Sequence, residues 1–416
     1  MKSFYRIVSS FIILVAFNTA NAESIKWLHL FGEDAKEYPN IVRAVEEFEA
    51  KTGHTVVLQY LENESFKAKL PTMLQSNDRP DIFYSWGGGV MYDQARAGFL
   101  RDVSSVVPDS YLDTVSAAAA DAFTFEGQRV GLPLQVSQVA WWYNKELMNQ
   151  AGIDVSSIKM WDDLLDAVKQ IKAAGITPIC MGGKDKWPVH FVWTHLHIRN
   201  GGKGLFLESL NNGGWDRPEY IRSGEQMLEL VELEPFQKGW LAATWPDQAG
   251  FFGDGKCAMA LMGNWMYGAQ ASNSASGEGL ADDNMGMFNM PMTNGGIGDP
   301  GDTLGGINGW LFSSTASDAA VELMMHYVSL DIQKEDASNG AYIPIVKGAD
   351  GSLTNPFLQQ VAKNISNSEY HQIFYDQFLG ADIGRVVNDV STDLAAGIIS
   401  AEEATQAVQE AWEFNQ

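Results

Sequence analysis

Few cysteines and few cations occur in this chain of 416 residues. The two cysteines, Cys180 and Cys257, are too few for a disulfide-stapled scaffold or for a zinc site made of four cysteines. Lysine and arginine number 28 against 52 aspartates and glutamates, which gives a formal net charge of −24. Phosphate backbones and anionic lipid surfaces repel so acidic a chain, and we therefore expect neither nucleic acid nor a membrane surface as a partner.

The N-terminal apolar segment is too short to span a membrane. It covers residues 7–17, whereas a membrane-spanning helix needs about 20 apolar residues. Two basic residues precede it, and residues 20–22 follow it with the small-x-small pattern of a signal peptidase site. We predict that residues 1–22 are a cleaved signal peptide and that the mature chain is exported to the periplasm.

Export leaves two alternatives open for the cysteines. In an oxidising compartment Cys180 and Cys257 could form a disulfide, and closing so long a loop would stabilise the fold by about 4 kcal/mol. Two buried free thiols are the other alternative, because the sequence does not give the distance between them.

Strand and helix signals alternate along the chain. Before residue 90 they predict strands at 25–31, 55–61 and 81–86, separated by helices that begin at Pro39 and at residue 65. The alternation resumes after residue 130, and it is typical of parallel sheets built from βαβ units. Because single cores rarely exceed about 250–300 residues, we predict an α/β protein with two separate α/β units.

The later elements follow the same logic. Strands are predicted at 140–144 and 176–181, with a helix between them. The last third of the chain is helix-rich, with predicted helices at 319–330 and 401–414 and a capping box before the second.

Three histidines look like a metal cluster but do not fit one. On a helix His190 and His197 would lie two turns apart, about 10 Å by helical rise, and His195 and His197 would point to nearly opposite sides. We therefore expect structural histidines. The sequence has no serine-hydrolase elbow, zinc-protease helix or EF-hand loop, and we predict no cofactor and no metal.

Two features at strand ends suggest a ligand site. The glycines at 87–89 follow the strand at 81–86, where backbone N–H groups can meet a ligand; a turn that only glycine can adopt is the alternative. Several of the thirteen tryptophans stand beside Gly, Pro or Asn in loops, as Trp86 does. Indole faces in such positions pack on sugar rings, and core packing is the alternative for each of them.

An ordered series of short motifs runs along the mature chain. It includes FEAKTG at 48–53, PDIF at 80–83, WGGG at 86–89, GFLRD at 98–102, GLP at 131–133, WYNK at 142–145, WDDL at 161–164, GKCAM at 255–259 and GNW at 263–265. Taken in this order, the series resembles the family 1 extracellular solute-binding proteins, which are the sugar-capturing subunits of ABC importers and relatives of maltose-binding protein.

The resemblance implies the two-lobe periplasmic binding protein fold of type II. Each lobe would be a mainly parallel sheet flanked by helices, and the solute would bind between the lobes. The implied hinge crossings lie near residues 133–138, 260–264 and 326–329. The implied lobes are 23–134 with 260–326 at the N-terminal side, and 135–259 with 327–416 at the C-terminal side.

The resemblance also implies positions for solute contacts. Trp86 and Trp265 lie on matched motifs, and the residue at the Trp86 position stacks on a sugar in relatives. Asp185 and Trp187 resemble a loop that often reaches the cleft. Weaker positional matches are His29, Gln135, Ser137, Asn264, Gly305, Gly306 and Tyr342. One departure is Met160, where relatives usually carry a threonine that caps the following helix.

Two functional hypotheses follow. The first is a periplasmic, monomeric carbohydrate-binding protein that delivers its solute to an inner-membrane ABC permease without catalysis. The second is a secreted glycoside hydrolase that uses two of the many carboxylates across a cleft.

Overall fold

The computed structural model describes residues 22–416. Apart from Ala22, the predicted signal peptide lies outside the described residues. No helix within 22–416 is both long and apolar enough to cross a bilayer. The strands are β1 (Ser24–His29), β2 (Thr55–Tyr60), β3 (Ile82–Ser85), β4 (Thr124–Phe125), β5 (Gln128–Arg129), β6 (Gly131–Asn144), β7 (Met259–Gly263), β8 (Met285–Phe288), β9 (Thr303–Phe312), β10 (Ile343–Pro344) and β11 (His371–Ile373).

The helices surround these strands. They are α1 (Tyr38–Thr52), α2 (Asn63–Gln75), α3 (Gly88–Arg96), α4 (Asp109–Leu112), α5 (Ala117–Asp121), α6 (Lys145–Gln150), α7 (Trp161–Ala173), α8 (Trp187–Asn212), α9 (Pro218–Glu232), α10 (Trp245–Gly253), α11 (Met266–Ser272), α12 (Asp318–Tyr327), α13 (Leu330–Asn339), α14 (Pro356–Asn367), α15 (Tyr375–Phe378), α16 (Ala381–Ala395) and α17 (Ala401–Phe414). Helix α8 is interrupted at Gly202, whose φ of 61° and ψ of −175° leave the helical region.

Local sequence signals explain where several helices begin and end. Helix α1 has Pro39 in its first turn and ends at Gly53, whose φ of 77° suits glycine. The predicted capping box of α17 is present: the Glu403 N–H donates to Ser400 Oγ at 3.2 Å, and the Ser400 N–H donates to Glu403 Oε2 at 2.8 Å.

Two predicted elements differ from the structure. The helix expected at 319–330 is two helices, α12 and α13, because the chain turns at Val328 and Ser329. The strand expected at 176–181 makes only single bridges at Ile179. Pro178 lacks an N–H and therefore cannot donate to a ladder there.

One mixed sheet of nine strands runs through the molecule. Its order is β10-β6-β9-β3-β1-β2, with β7 and β8 added to β6 and β11 added to β9; β4 and β5 form a separate pair. Strands β1 and β2, β1 and β3, and β9 and β11 pair in parallel, whereas the other pairs are antiparallel. The prediction of two mainly parallel sheets is therefore wrong. The reason is that β6 and β9 pair with each other along most of their lengths.

Buried side chains form two hydrophobic cores. The first draws on residues 25–134 and 310–346, and the second on residues 139–304 and 353–408 together with Ala337 and Ile343. We call the parts of the chain around them the first lobe and the second lobe. The chain passes between the lobes within β6, within β9 and after residue 346.

This division corrects two of the predicted crossings. Residues 260–264 include most of β7, which pairs with β6 over Val139–Tyr143 inside the second lobe. Residues 327 and 328 are buried in the first core. The segment 265–304 therefore belongs to the second lobe and 327–346 to the first, the reverse of the sequence-based boundaries. The motifs misplace these crossings because the second one is made by β9, which none of them covers.

Cys180 and Cys257 form a disulfide in the second lobe. Their Cα atoms are 5.7 Å apart, and both residues are fully buried. The Cys180 N–H donates to the Met259 carbonyl at 2.9 Å, which holds the segment before α8 beside β7. Of the two alternatives left open by the sequence, the structure contains the disulfide.

Candidate functional site

Two tryptophans from opposite lobes face one lysine. Trp86 follows β3 in the first lobe and packs against both cores, and Trp187 begins α8 in the second lobe. The Nζ atom of Lys67 lies 5.2 Å from the ring centre of Trp86 and 5.4 Å from that of Trp187. Both distances are in the range of a cation–π contact. Trp86 and Trp187 therefore lie close to the same lysine at the boundary between the lobes.

Helix α2 also bonds directly to the second lobe. The Trp187 Nε1–H donates to Glu64 Oε1 at 2.9 Å, and Lys67 Nζ lies 3.6 Å from the same oxygen. Glu64 and Lys67 are one turn apart on α2, so the two side chains reach Trp187 together.

Asp185 lies at the same end of the cleft. It is half-buried, and its Oδ2 accepts a hydrogen bond from the Trp245 N–H at 2.7 Å. Burial raises the pKa of Asp185, and the negative charges of Glu64 and Glu62 raise it further. Carboxylates from both lobes therefore face each other beside the tryptophan pair.

The second lobe presents an aromatic surface next to Trp187. The half-buried Trp265 precedes α11, and its ring centre lies 6.3 Å from that of Trp187, 6.4 Å from Phe191 and 6.1 Å from Phe374. The rings of Phe191 and Phe374 are 5.5 Å apart. Phe191 and Phe374 are buried behind the half-buried Trp265, whose ring suits the C–H face of a sugar ring.

Polar side chains of the crossing strands lie between the lobes. Gln135 of β6 pairs with Asn308 of β9, and its Nε2 donates to Tyr84 Oη at 3.1 Å. Asn308 is only 4% exposed, and its Oδ1 has no hydrogen-bond partner among the described residues. Ser137 Oγ accepts from the Gly306 N–H at 3.1 Å. We call these five residues the polar floor of the cleft.

Two predicted site residues, Asn264 and Gly305, take part in strand pairing within the sheet. Asn264 Oδ1 accepts from the Gln138 N–H at 3.0 Å and so continues the pairing of β7 with β6. A Cβ on Gly305 would lie 1.7 Å from the Ser137 carbonyl oxygen, so only glycine permits this close approach of β6 and β9. A Cβ on Gly306 would lie 2.7 Å from the Phe374 ring, so that glycine leaves room for an aromatic side chain at the floor.

Tyr342 does not lie in the cleft. Its side chain is fully buried in the first core, and its Oη donates to Asp336 Oδ2 at 2.8 Å. The prediction for Tyr342 is wrong because its ring packs inside the first core, while its neighbour Ile343 packs against the second.

His29 ends β1 and is 1% exposed. Burial lowers its pKa to about 4, so the ring is neutral near pH 7. Its ring centre lies 6.2 Å from that of Tyr38 and 6.1 Å from that of Tyr60. A solute contact by His29 stays a prediction.

The glycines at 87–89 bring the two lobes into backbone contact. Gly87 and Gly88 have φ values of 68° and 69°. A Cβ on Gly88 would lie 2.8 Å from the Cα of Phe378, and a Cβ on Gly89 would lie 2.4 Å from the Gly380 nitrogen. The turn and the contact of α3 with the second lobe both need glycine, which accounts for the motif without a ligand.

A second lysine–aromatic contact joins the lobes elsewhere. Lys36 precedes α1 in the first lobe, and its Nζ lies 4.8 Å from the ring centre of Tyr267 in α11. Within residues 22–416, the Lys36 ammonium makes a cation–π contact with one ring, that of Tyr267, whereas the Lys67 ammonium makes such contacts with two rings.

The three histidines of α8 are buried. Burial lowers the pKa of His195 and of His197 to about 3, and it also lowers the pKa of His190. The Nδ1 of His195 lies 2.9 Å from the Phe191 carbonyl oxygen. Across residues 22–416, no group of three or more His, Cys, Asp or Glu is placed to hold a metal ion.

Sequence reasoning missed Glu64, Lys67 and Phe374. The first two look like an ordinary charged pair on a solvated helix face, and Phe374 lies in a stretch without a motif. The spacing of Glu64 and Lys67 marks them as neighbours, but only the position of α2 opposite α8 gives the pair a place in the cleft.

Comparison with known proteins identifies a family. The sequence model described as bacterial extracellular solute-binding protein matches residues 32–335. An uncharacterized ABC transporter extracellular-binding protein of Pyrococcus horikoshii is 25% identical over 252 residues, which cover 60% of this chain and 54% of that protein. The chain thus spans about half the length of the curated relatives it matches.

Solved structures share the fold over nearly the whole chain. One, from work on xylan utilization by the thermophilic bacterium Caldanaerobius polysaccharolyticus, has a TM-score of 0.85 at 24% identity and covers 93% of this chain and 99% of that one. A chitin oligosaccharide binding protein has a TM-score of 0.84 at 23% identity and covers 94% of this chain and 98% of that one. These likenesses confirm the predicted two-lobe binding-protein fold.

Proposed function

Because the chain belongs to the bacterial extracellular solute-binding proteins, we propose that it captures a carbohydrate between its lobes and delivers it to an ABC permease. The observation that carries this proposal is that the rings of Trp86 and Trp187, from opposite lobes, lie 5.2 and 5.4 Å from the same Lys67 Nζ atom. Two indole faces at such a place can pack on both faces of a sugar ring.

The rest of the cleft supplies what a sugar needs besides apolar faces. The aromatic surface of Trp265, Phe191 and Phe374 continues from Trp187. The polar floor offers amide and hydroxyl groups, among them the buried Asn308 Oδ1, which has no hydrogen-bond partner within residues 22–416. A buried acceptor left unbonded costs about 1–3 kcal/mol, so a sugar hydroxyl would bind there favourably. The relatives named for xylan and chitin oligosaccharides support an oligosaccharide as the ligand class.

Delivery would follow from closure of the lobes. A solute that contacts both lobes stabilises their closed arrangement, because those contacts exist only when the lobes meet. The permease would then distinguish the closed protein from the open one. We place this exchange on the outer side of the inner membrane, in the periplasm, with a monomeric protein and no cofactor.

The glycoside hydrolase alternative finds no support in the comparisons. Neither the family nor the relatives above are described as hydrolases. Incubation with xylo- and chito-oligosaccharides tests the two hypotheses directly. We expect intact sugars and a saturable heat of binding in calorimetry, whereas the appearance of shorter sugars would contradict the proposal.

The substitution Trp86→Ala tests the role of the tryptophan pair. We expect it to weaken sugar binding by about 1.5–3 kcal/mol, or roughly 10- to 150-fold in Kd, because the stacking face is lost. The matched control is Trp412→Ala. Trp412 is also half-buried, but it lies on α17 and its Nε1–H donates to the Leu210 carbonyl.

We expect Trp412→Ala to lower the melting temperature without changing Kd. The same result for Trp86→Ala would contradict the stacking role and leave Trp86 as a packing residue.

A further inference from the structure

The surroundings of Lys67 are unusual for a lysine on a helix surface. Its side chain is 28% exposed, whereas the two ion-paired lysines on the surface of α7, Lys169 and Lys172, are 57% and 44% exposed. Its ammonium group lies within 5.5 Å of two indole ring centres that belong to different lobes. The position of Lys67 is therefore set by the cleft and not by its own helix alone.

Three groups hold the ammonium in this place. The faces of Trp86 and Trp187 attract it, and the Glu64 carboxylate lies 3.6 Å away. Glu64 is itself held by the Nε1–H of Trp187 at 2.9 Å. The ammonium thus lies close to both of the indole faces that the proposed function assigns to a sugar ring.

We propose that Lys67 is an affinity-determining residue whose side chain occupies the sugar-stacking space between Trp86 and Trp187 and is displaced when the sugar enters. This inference rests on the proposed carbohydrate-binding function. Displacement breaks no covalent bond, because a lysine stem can rotate away from the cleft and leave its ammonium in water.

Competition between Lys67 and the sugar for the indole faces should lower the affinity for the sugar. A cation–π contact at a partly exposed site contributes on the order of 0.5–1 kcal/mol, and here two faces are involved. Removing the competitor should therefore tighten sugar binding roughly 5- to 30-fold.

Lys36 provides a matched control. Its ammonium also contacts an aromatic ring of the opposite lobe, that of Tyr267 at 4.8 Å. This contact involves one ring, so Lys36 does not lie close to two indole rings as Lys67 does. Lys36→Ala and Lys67→Ala each remove one charge and one contact between the lobes, and they differ in whether a stacking space is emptied.

The first experiment follows the lysines of the wild-type protein. Amine acetylation is measured by mass spectrometry with and without saturating amounts of short xylo- or chito-oligosaccharides. We expect the labelling of Lys67 to rise when sugar binds, because the ammonium moves into solvent, and the labelling of Lys36 not to rise. Protection of Lys67 by bound sugar would overturn the inference.

The second experiment compares affinities for the same sugars by calorimetry. We expect Lys67→Ala to bind roughly 5- to 30-fold more tightly than the wild type, and Lys36→Ala to stay within about twofold. If Lys67→Ala folds poorly, Lys67→Met keeps an apolar side chain without the charge, and we expect it to tighten binding by a smaller factor.

The outcomes separate this inference from the proposed function. If wild type binds sugar and neither Lys67 variant binds it more tightly, the inference fails while the proposed function stands. If no saccharide binds to the wild type, the proposed function fails and the inference falls with it.

Discussion

The two lobes are stabilised by different chemistry. The second lobe contains a covalent link, the Cys180–Cys257 disulfide, next to β7. The first lobe has no cysteine in its sequence. Its buried interior holds an ionisable carboxyl group instead, that of Asp336. We expect the disulfide to make the second lobe sensitive to redox conditions, and Asp336 to make the stability of the first lobe depend on pH between about 4 and 7.

A buried arginine adds to the organisation of the second lobe. Arg199 is 1% exposed, and burial lowers its pKa to about 10, so it stays charged at neutral pH. Its guanidinium group donates to backbone carbonyls of one long loop, those of Met290, Asp299, Pro300 and Asp302. These hydrogen bonds hold an irregular segment in place, and they come from a side chain that stays charged at neutral pH.

The carboxyl group of the first lobe lies between two helices and β10. Asp336 of α13 is fully buried; it accepts from Asn40 Nδ2 of α1 at 2.6 Å and from Tyr342 Oη at 2.8 Å. Burial raises its pKa to about 7, although the two hydrogen bonds act in the opposite direction. The folded lobe therefore favours the protonated carboxyl group.

Loss of the disulfide should have the largest effect on this comparison. The bond closes a loop between residues separated by 77 positions. We expect the double variant Cys180→Ser with Cys257→Ser to lose about 4 kcal/mol of unfolding free energy, because the unfolded chain gains the freedom of that loop. Hydrogen exchange resolved by segment should become faster in β7 and α10 and stay unchanged in β1 and α1. An equal increase of the exchange rate in both lobes would contradict the prediction that the disulfide stabilises the second lobe alone.

The substitution Asp336→Asn should reduce a pH dependence of the first lobe, to which Glu37, whose pKa burial raises to about 8, also contributes. The pKa of about 7 in the folded protein exceeds the usual value of 3.8. The folded state therefore binds more protons than the unfolded state between about pH 4 and pH 7, and its stability falls as pH rises through that window. From pH 5 to pH 7 we expect the wild type to lose about 2 kcal/mol that Asp336→Asn does not lose.

Urea unfolding at the two pH values measures this difference. The control is Glu335→Gln, which removes the neighbouring carboxylate of α13. Glu335 is 46% exposed and pairs with Arg43, and its charge makes a smaller contribution than burial to the raised pKa of Asp336, so its removal should leave most of the pH dependence in place. A similar pH dependence in wild type and Asp336→Asn would rule out Asp336 as its source.

The smallest expected effect is a gain of stability in the second lobe alone. Helix α7 begins after Met160, whose side chain cannot accept a hydrogen bond from the helix; Asp163 Oδ2 accepts from the Met160 N–H at 2.8 Å. Met160→Thr would add an acceptor for the Asp163 N–H and complete a capping box. We expect about 0.5–1 kcal/mol more stability, seen as slower hydrogen exchange in α7. Met160→Ala adds no acceptor and should give no gain; an equal gain from alanine would contradict the capping explanation.

Much of the fold and part of the site follow from local signals. Periodicity and caps predict α1 and α17 because a helix end depends on residues within one turn. The motif series also singles out Trp86 and Trp265, and the loop resemblance singles out Trp187. The rings of Trp86 and Trp187 lie near Lys67, and that of Trp265 lies near Trp187, while their contact with a solute stays a prediction. Gln135 and Ser137 lie at the polar floor, in the strand where the first crossing is expected.

The failures involve residues that are distant in sequence. Tyr342 and the second and third crossings are misplaced because the path of β9 and α13 depends on strand pairing and helix packing across more than a hundred residues. Lys67 has no recognisable motif, since its role comes from two indoles contributed by other segments.

The sequence by itself determined the α/β class and the family, because these depend on local backbone preference and on short motifs. Only the tertiary structure decided the disulfide, the single mixed sheet, the membership of residues 265–346 in the two lobes and the place of Lys67 between Trp86 and Trp187. The physical reason is that such contacts depend on how separate segments bury their apolar faces together. The periodicity of the sequence reports the local conformation of each segment and does not give the distances between remote residues.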